Sequence, residues 1–366
     1  MPKRATSPVS SFSKRKSEVR AKGTGVVEGT QVEGGRAESR GQQPRTLDFA
    51  ILCERYRVVH GGLGFDPRKS PELIARRLGV SPATVRRRFA DWRAEGFMLG
   101  YDVLPHPGLL GGRLAARLLE YPDAVAQERA VRRLSLVDGV IQVIPSRTTL
   151  MVVYFLDTET QAGRRLLQLR EISGTGTIGP EMSFDFPTCT RRMSRSDWRL
   201  VRALRRSPEA KLAALAVEVG QSPRTTSRRY NSLLDEGAII FDPILDYSHF
   251  SETLAVVVAY LDAPDRSEEV RGAIRVLFRQ SADSSGPSPV GSDGPIASVQ
   301  TLVCARTAAE IDELAGRVAH LPGVRQVLLW YERSNVPVRE WLDERIGSIL
   351  SARSSANSAP RSSLTR

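Results

Sequence analysis

The chain states one pattern twice, and that pattern dictates a helix-turn-helix in each half. Residues 79–96 read G-V-S-P-A-T-V-R-R-R-F-A-D-W-R-A-E-G and residues 220–237 read G-Q-S-P-R-T-T-S-R-R-Y-N-S-L-L-D-E-G. Glycine, Ser-Pro, threonine, an arginine pair, an aromatic residue and Glu-Gly recur at a constant offset of 141 residues. In each copy a glycine turn leads to a serine suited to a helix N-cap and a proline suited to the first helical position. The helix that follows is crowded with arginine.

Helical spacing sorts its residues. In the first copy Val85, Phe89 and Trp92 fall on the inward face, leaving Ala83, Thr84 and Arg87 outside with Arg86 and Arg88 flanking them. In the second copy Thr226, Tyr230 and Leu233 fall inward, and Arg224, Thr225 and Arg228 outward. An outer face bearing threonine and arginine is chemically suited to the DNA major groove, although adjacent arginines serve phosphate as readily as guanine. A shorter amphipathic helix precedes each copy, through Leu73, Ile74, Ala75 and Leu78, or through Leu212, Leu215, Ala216 and Val219. A further helix is predicted upstream of each, near Asp48 and near Asp197. After Glu-Gly come the apolar runs Phe97-Met98-Leu99 and Ala238-Ile239-Ile240, then turn-like Gly100-Tyr101-Asp102 and Asp242-Pro243, which read as the hairpin of a wing.

The rest of each half alternates strand and helix patterns. Leu114 to Tyr121, Val140 to Pro145, Thr149 to Leu156 and Ile178 to Phe186 read as strands, with helices over Asp123 to Leu134 and Thr158 to Ile172. The second half repeats this with strands at Thr253 to Leu261, Ser298 to Cys304 and Val324 to Tyr331, and helices at Arg266 to Phe278 and Ala308 to His320. The first order predicts a ferredoxin-like βαββαβ sandwich, and the second predicts the same with room for one more strand beside the insert. The fold class is therefore α+β, two winged helix-turn-helix domains each followed by such a sandwich. The expected boundaries are a basic tail over 1–45, a winged helix over 46–108, a sandwich over 109–190, a second winged helix over 194–250, and a second sandwich over 251–345. A flexible insert is expected over 281–295 and a flexible tail over 346–366.

Charge points the same way. The 366 residues carry a net charge of +12, which fits a polyanionic partner better than a metabolic substrate. Ten lysines or arginines against four glutamates place half of that excess in residues 1–45, where large apolar residues are almost absent. No apolar run approaches membrane-spanning length and no secretory h-region is seen, so the expectation is a cytoplasmic protein with no membrane partner. Cys53, Cys189 and Cys304 are scattered without C-x-x-C spacing, and predict neither a disulfide framework nor a zinc site. No phosphate-binding loop, paired-carboxylate spacing or G-x-S-x-G occurs, and Gly174 to Gly179 follows a helix, which makes it a hinge. The expectation is a protein that is not an enzyme and needs no cofactor.

On Gly79 to Arg88, on Glu95-Gly96-Phe97-Met98-Leu99-Gly100-Tyr101, on Gly220 to Ile240 and on the module order, the chain resembles the Lrp/AsnC family of transcription regulators, with RAM-like sandwiches. The resemblance spans about residues 46 to 335. It implies sequence-specific binding of double-stranded DNA through Ser81, Thr84, Arg86, Arg87 and Arg88, and through Ser222, Arg224, Thr225, Arg228 and Arg229. It also implies self-association through the sandwich sheets, and often an amino-acid effector. The chain departs from that family in holding two modules covalently, which predicts a pseudo-dimer with two unequal reading helices and an asymmetric site. Between the second and third strands it has Pro145-Ser-Arg-Thr-Thr149 in one copy and a Ser/Gly/Pro-rich insert in the other, where effector-binding members carry a glycine- and aspartate-bearing turn, so no effector is named. Two alternatives stand beside this reading. One is a siroheme-decarboxylase-like tetrapyrrole enzyme, against which His60, His106, His249 and His320 read as loop and surface residues. The other is an interaction scaffold that has lost DNA binding.

Overall fold

Gly79 and Gly220 both take the left-handed conformation, at φ +67° and +68°, which closes one helix and starts the next without the Cβ strain another residue would meet. Around them stand two three-helix units, numbered in chain order: α1 (Gln43–His60), α2 (Ser70–Leu78) and α3 (Pro82–Ala94), then α6 (Arg195–Arg206), α7 (Leu212–Val219) and α8 (Pro223–Asp235). The computed structural model describes residues 43–60 and 70–358, apart from 148, 158–159, 175–177, 185, 187, 251, 279, 284–287, 292–293 and 332. The expected basic tail therefore lies outside the described residues save for its last three positions, which open α1. His60, expected in a loop, ends α1.

The strand after each unit departs from the predicted hairpin. β1 (Met98–Pro105) and β6 (Ile239–Leu245) run through the turn-like residues and pair with each other, antiparallel. Tyr101 lies opposite Pro243 and Asp102 opposite Asp242, so the local two-fold passes between these two pairs. Gly100, at φ +144°, marks an irregularity in the strand and no turn. Equivalent bonds close the ribbon's two ends, from Asp246 N–H to Phe97 O at 2.8 Å and from His106 N–H to Ala238 O at 2.9 Å.

Both predicted sandwiches are present. The first comprises β2 (Arg113–Glu120), α4 (Ala124–Leu134), β3 (Val140–Pro145), β4 (Thr149–Leu156), α5 (Thr160–Ser173) and β5 (Ile178–Ser183), with sheet order β5-β2-β4-β3. The second comprises β7 (Thr253–Leu261), α9 (Ser267–Leu277), β8 (Gln280–Asp283), β11 (Ser298–Ala305), α10 (Ala308–Ala319) and β12 (Val324–Trp330), with order β12-β7-β11-β8. The two orders are topologically the same. The described parts of two segments read as flexible form strands and a helix instead. The insert supplies β8 and then β9 (Ser288–Gly291) and β10 (Gly294–Pro295), a pair that extends the first sheet beyond β5. At that sheet's other edge β13 (Val336–Pro337) pairs with β3. The expected C-terminal tail forms α11 (Glu340–Ser358), and its residues 359–366 lie outside the described part.

One apolar core spans both modules. The helices of each sandwich cover one sheet face, while the opposite faces join a shared cluster through Leu114, Ala116, Val153 and Phe155 of the first sheet and Leu254, Leu302 and Cys304 of the second. Phe97 of the first module meets Tyr247 and Phe250 of the second at ring separations of 5.9 and 4.8 Å. The sheet faces expected to mediate self-association are thus occupied within the chain. Leu342, Ile346 and Leu350 of α11, at helical spacing, are buried in the same cluster. Ile346→Ala should therefore lower unfolding free energy by about 2–4 kcal/mol in urea titration; an effect within about 0.5 kcal/mol, normal for a surface site, would return α11 to the status of a tail.

Candidate nucleic-acid interface

The two candidate reading helices begin alike. Ser81 Oγ accepts the amide of Thr84 at 3.0 Å and Ser222 Oγ that of Thr225 at 3.2 Å, with each serine and threonine hydroxyl 2.9 Å apart. These four predicted site residues therefore cap and stiffen the exposed N-termini of α3 and α8. Pro82 and Pro223 open the helices, and Val85, Phe89, Trp92, Thr226, Tyr230 and Leu233 are buried as the spacing predicts.

The arginines divide into three groups. Arg86 is exposed and pairs with Glu72 of α2. Arg87, Arg224 and Arg228 are exposed and have no ion-pair or hydrogen-bond partner among the described residues. Arg87 and Arg228 occupy the same position of the repeat. Arg88 and Arg229, one residue further on, turn inward instead: Arg88 lies 3.3 Å from Asp48, and Arg229 donates to Asp197 at 2.6 Å and to Ser194 at 3.1 Å. The geometry thus turns Arg88 and Arg229, which the resemblance implied as DNA contacts, away from the outer face. The aspartate near the start of each unit's first helix is the signal that identifies them, since a half-buried arginine needs a buried anion beside it.

The two aspartates, Asp48 partly buried and Asp197 buried, differ. Burial pushes the Asp48 carboxyl up to about 6, Arg88 opposes this, and Glu95, Glu252 and Asp91 add to it. At Asp197 burial also acts upward, but bonds from Arg229 and Ser194 and the charge of Arg191 outweigh it and hold the carboxyl below its usual range. The first reading helix therefore rests on one arginine amid several carboxylates, the second on two arginines around one.

The remaining candidate sites are spent on packing. Ser146 and Arg147 dock on the second sandwich, where Ser146 Oγ accepts from Tyr331 N–H at 3.2 Å and the Arg147 guanidinium lies 3.9 Å over the Tyr331 ring. His106 Nδ1 caps Gly108 N–H, His249 sits beside Asp246, and His320 Nδ1 lies 2.7 Å from Gly316 O. Among the described residues no group of three His, Cys, Asp or Glu side chains is placed to hold a metal ion. Cys304 is buried against Glu252, its Sγ donating to Oε2 at 2.9 Å, and burial and that carboxylate push the thiol far up, which suits packing and not nucleophilic work. An open cleft of about 480 Å³ lies at the module seam beside Leu99, Tyr101, Glu209, Ile244 and Arg339, with no histidine in its lining.

Residues 193–240 match the model of a winged helix-turn-helix DNA-binding domain. The match falls on the second repeat, whose helices α6, α7 and α8 have the helix-turn-helix order. No curated protein matches the sequence. Among solved structures, the siroheme decarboxylase NirDL in complex with an iron-uroporphyrin III analogue is similar over 84% of this chain and 99% of its own, at 11% identity and a TM-score of 0.47. An AsnC family transcriptional regulator from Agrobacterium tumefaciens is similar over 38% of this chain and 89% of its own, at 19% identity and a TM-score of 0.25. The leucine response regulatory protein LrpA of Mycobacterium tuberculosis is similar over 37% and 91%, at 19% identity and a TM-score of 0.27. The similarity that extends along most of the chain is to an enzyme, so the expectation that this protein is not an enzyme is corrected and withdrawn. At 11% identity the likeness assigns it no substrate. No described helix is long and apolar enough to cross a membrane.

Asp48 gives the interface a pH signature. A carboxyl whose folded pKa stands at about 6, above its ordinary value of 3.8, binds its proton more tightly folded than unfolded. The stability contributed by this group is then present at acid pH and lost as pH rises through about 6. Compared with Asp48→Asn, the wild type should gain relative stability as pH falls from 7 to 4.5 in chemical denaturation; a difference constant over that range would contradict the assignment.

Proposed function

We propose that the chain is a sequence-specific regulator of transcription that binds double-stranded DNA with α3 and α8 together, as a covalent pseudo-dimer. The observation that carries this reading is the matched pair Arg87 and Arg228, exposed and without partners among the described residues, on helices whose next arginine is tied inward. The inward ion pairs orient each helix, and the unpaired arginines remain available to base edges or phosphates. The winged helix-turn-helix match at 193–240 supports the second reading head directly, and the constant offset extends it to the first.

The two outer faces differ, with Ala83, Thr84 and Arg86 in one and Arg224, Thr225 and Ser227 in the other. Each helix then prefers its own half-site, and the composite site is asymmetric. Arg87, Arg224 and Arg228 serve as base-edge or phosphate contacts, Arg86 as a phosphate contact held by Glu72, and Ser81 and Ser222 as helix-start contacts.

Selection of bound fragments from sheared genomic DNA at about physiological salt tests this reading. A recurrent two-part motif is expected, and Arg87→Ala/Arg228→Ala should abolish it, with about 1–3 kcal/mol lost per bidentate base contact. Uniform binding without a motif would overturn it, and a Soret shift on titrating an iron tetrapyrrole in that case would turn attention to decarboxylase chemistry. Arg88→Ala and Arg229→Ala should chiefly lower thermal stability and leave the motif unchanged; loss of the motif in a fully folded variant would restore these residues to the reading face.

A further inference from the structure

A two-stranded ribbon is a weak way to hold two DNA-reading units in register. Side chains alternate with a period of two, so a slip of β1 along β6 by two residues keeps the same faces buried while moving one module past the other by about 7 Å. That displacement equals about two base-pair steps of B-DNA. Apolar packing resists such a slip without specifying its end point, because it has no direction.

A buried polar hub supplies the direction. Arg205, at the end of α6, is 2% exposed. Its Nε donates to Asp343 Oδ1 of α11 at 2.5 Å, and one terminal nitrogen donates to Val103 O at 2.6 Å and lies 3.5 Å from Asp102 Oδ1. The other terminal nitrogen reaches Arg339 O at 3.4 Å. Arg339 in turn lies 3.2 Å from Asp102 and donates to Tyr101 O at 3.0 Å. One guanidinium of the second module therefore grips both a side chain and a backbone carbonyl of the first module's linker strand, at the local two-fold. The hub is one-sided: the repeat places Pro243 opposite in role to Asp102, and proline offers no carboxylate.

We propose that Arg205 is a positioning residue that locks β1 in a single register against α6 and so fixes the separation of the two reading helices. This deepens the DNA reading above without depending on it for its structural half. A buried ion pair is a poor source of net stability, because desolvation offsets its attraction, but a fork of directional donors selects one geometry among several of similar burial. Slipped by two residues, β1 would present other residues to Arg205 and leave a buried guanidinium short of acceptors.

Paired spin labels at the equivalent exposed positions Ala83 and Arg224 (Ala83→Cys, Arg224→Cys, in a full chain carrying Cys53→Ala and Cys189→Ala) read the separation without DNA. One narrow distance peak is expected for Arg205, and a broadened or second peak displaced by several ångströms for Arg205→Met/Asp102→Asn. If that pair does not fold by circular dichroism, Arg205→Lys retains the charge but not the fork and should broaden the peak likewise. A single unchanged peak in a folded variant overturns the proposal. Selection on libraries with two half-sites at variable spacing then reads the consequence: one spacing for the parent chain, and at least a tenfold rise in sites offset by about two base pairs for the variant. Broadened distances with no DNA motif in either protein would keep the hub and reject the DNA reading, whereas a motif with unchanged distances would do the reverse.

Discussion

Everything else in this protein follows from one strand pairing. β1 and β6 lie side by side because each module's linker strand finds its partner in the other module, and the cross-module hydrogen bonds leave neither unit with a hairpin of its own. Once the linkers pair, the apolar faces of both helical units and both sheets must meet, and they do so in one cluster running from Phe49 to Leu350. The interface between the two modules lies inside a single chain, so forming it involves no concentration-dependent step of association.

Covalent linkage also relaxes symmetry. Two identical chains about a two-fold must use identical contacts on both sides, but here the halves have diverged where it costs little. Asp102 answers to Pro243 and the short segment 145–149 to a longer insert, while Asp48 lies amid carboxylates and Asp197 beside two arginines. The reading helices keep their scaffold residues, Ser-Pro caps and buried aromatics, and differ on the faces that meet solvent.

Much of this was legible in sequence. The strands Val140–Pro145 and Thr149–Leu156 and both turn glycines emerge as predicted because their determinants are local: β-branched alternation, Asp-Gly punctuation and the φ that only glycine takes cheaply. What sequence reading misplaced depended on distant partners. Gly100 and Asp242-Pro243 imitate turns, yet glycine also marks an irregular strand and proline is tolerated where its missing N–H faces outward. The insert looked flexible because its partner strand β5 lies about a hundred residues upstream. α11 is different, since Leu342, Ile346 and Leu350 carry helical spacing that composition near the C-terminus obscured. The arginine runs could be divided only by seeing Asp48 and Asp197 beneath them. The outward face was legible; the arginine of each run that turns inward was not.

The edges of the first sheet carry a consequence for synthesis. β9–β10 covers the β5 edge and β13 covers the β3 edge, and both come from the last quarter of the chain. A ribosome that has released only the first sandwich has therefore made a sheet with two bare edges and an apolar face, the template that invites other strands to add. Native pairing across such sequence separation is slow. Until the C-terminal half arrives with the strands to close it, the nascent N-terminal half presents open edges of the kind that favour aggregation.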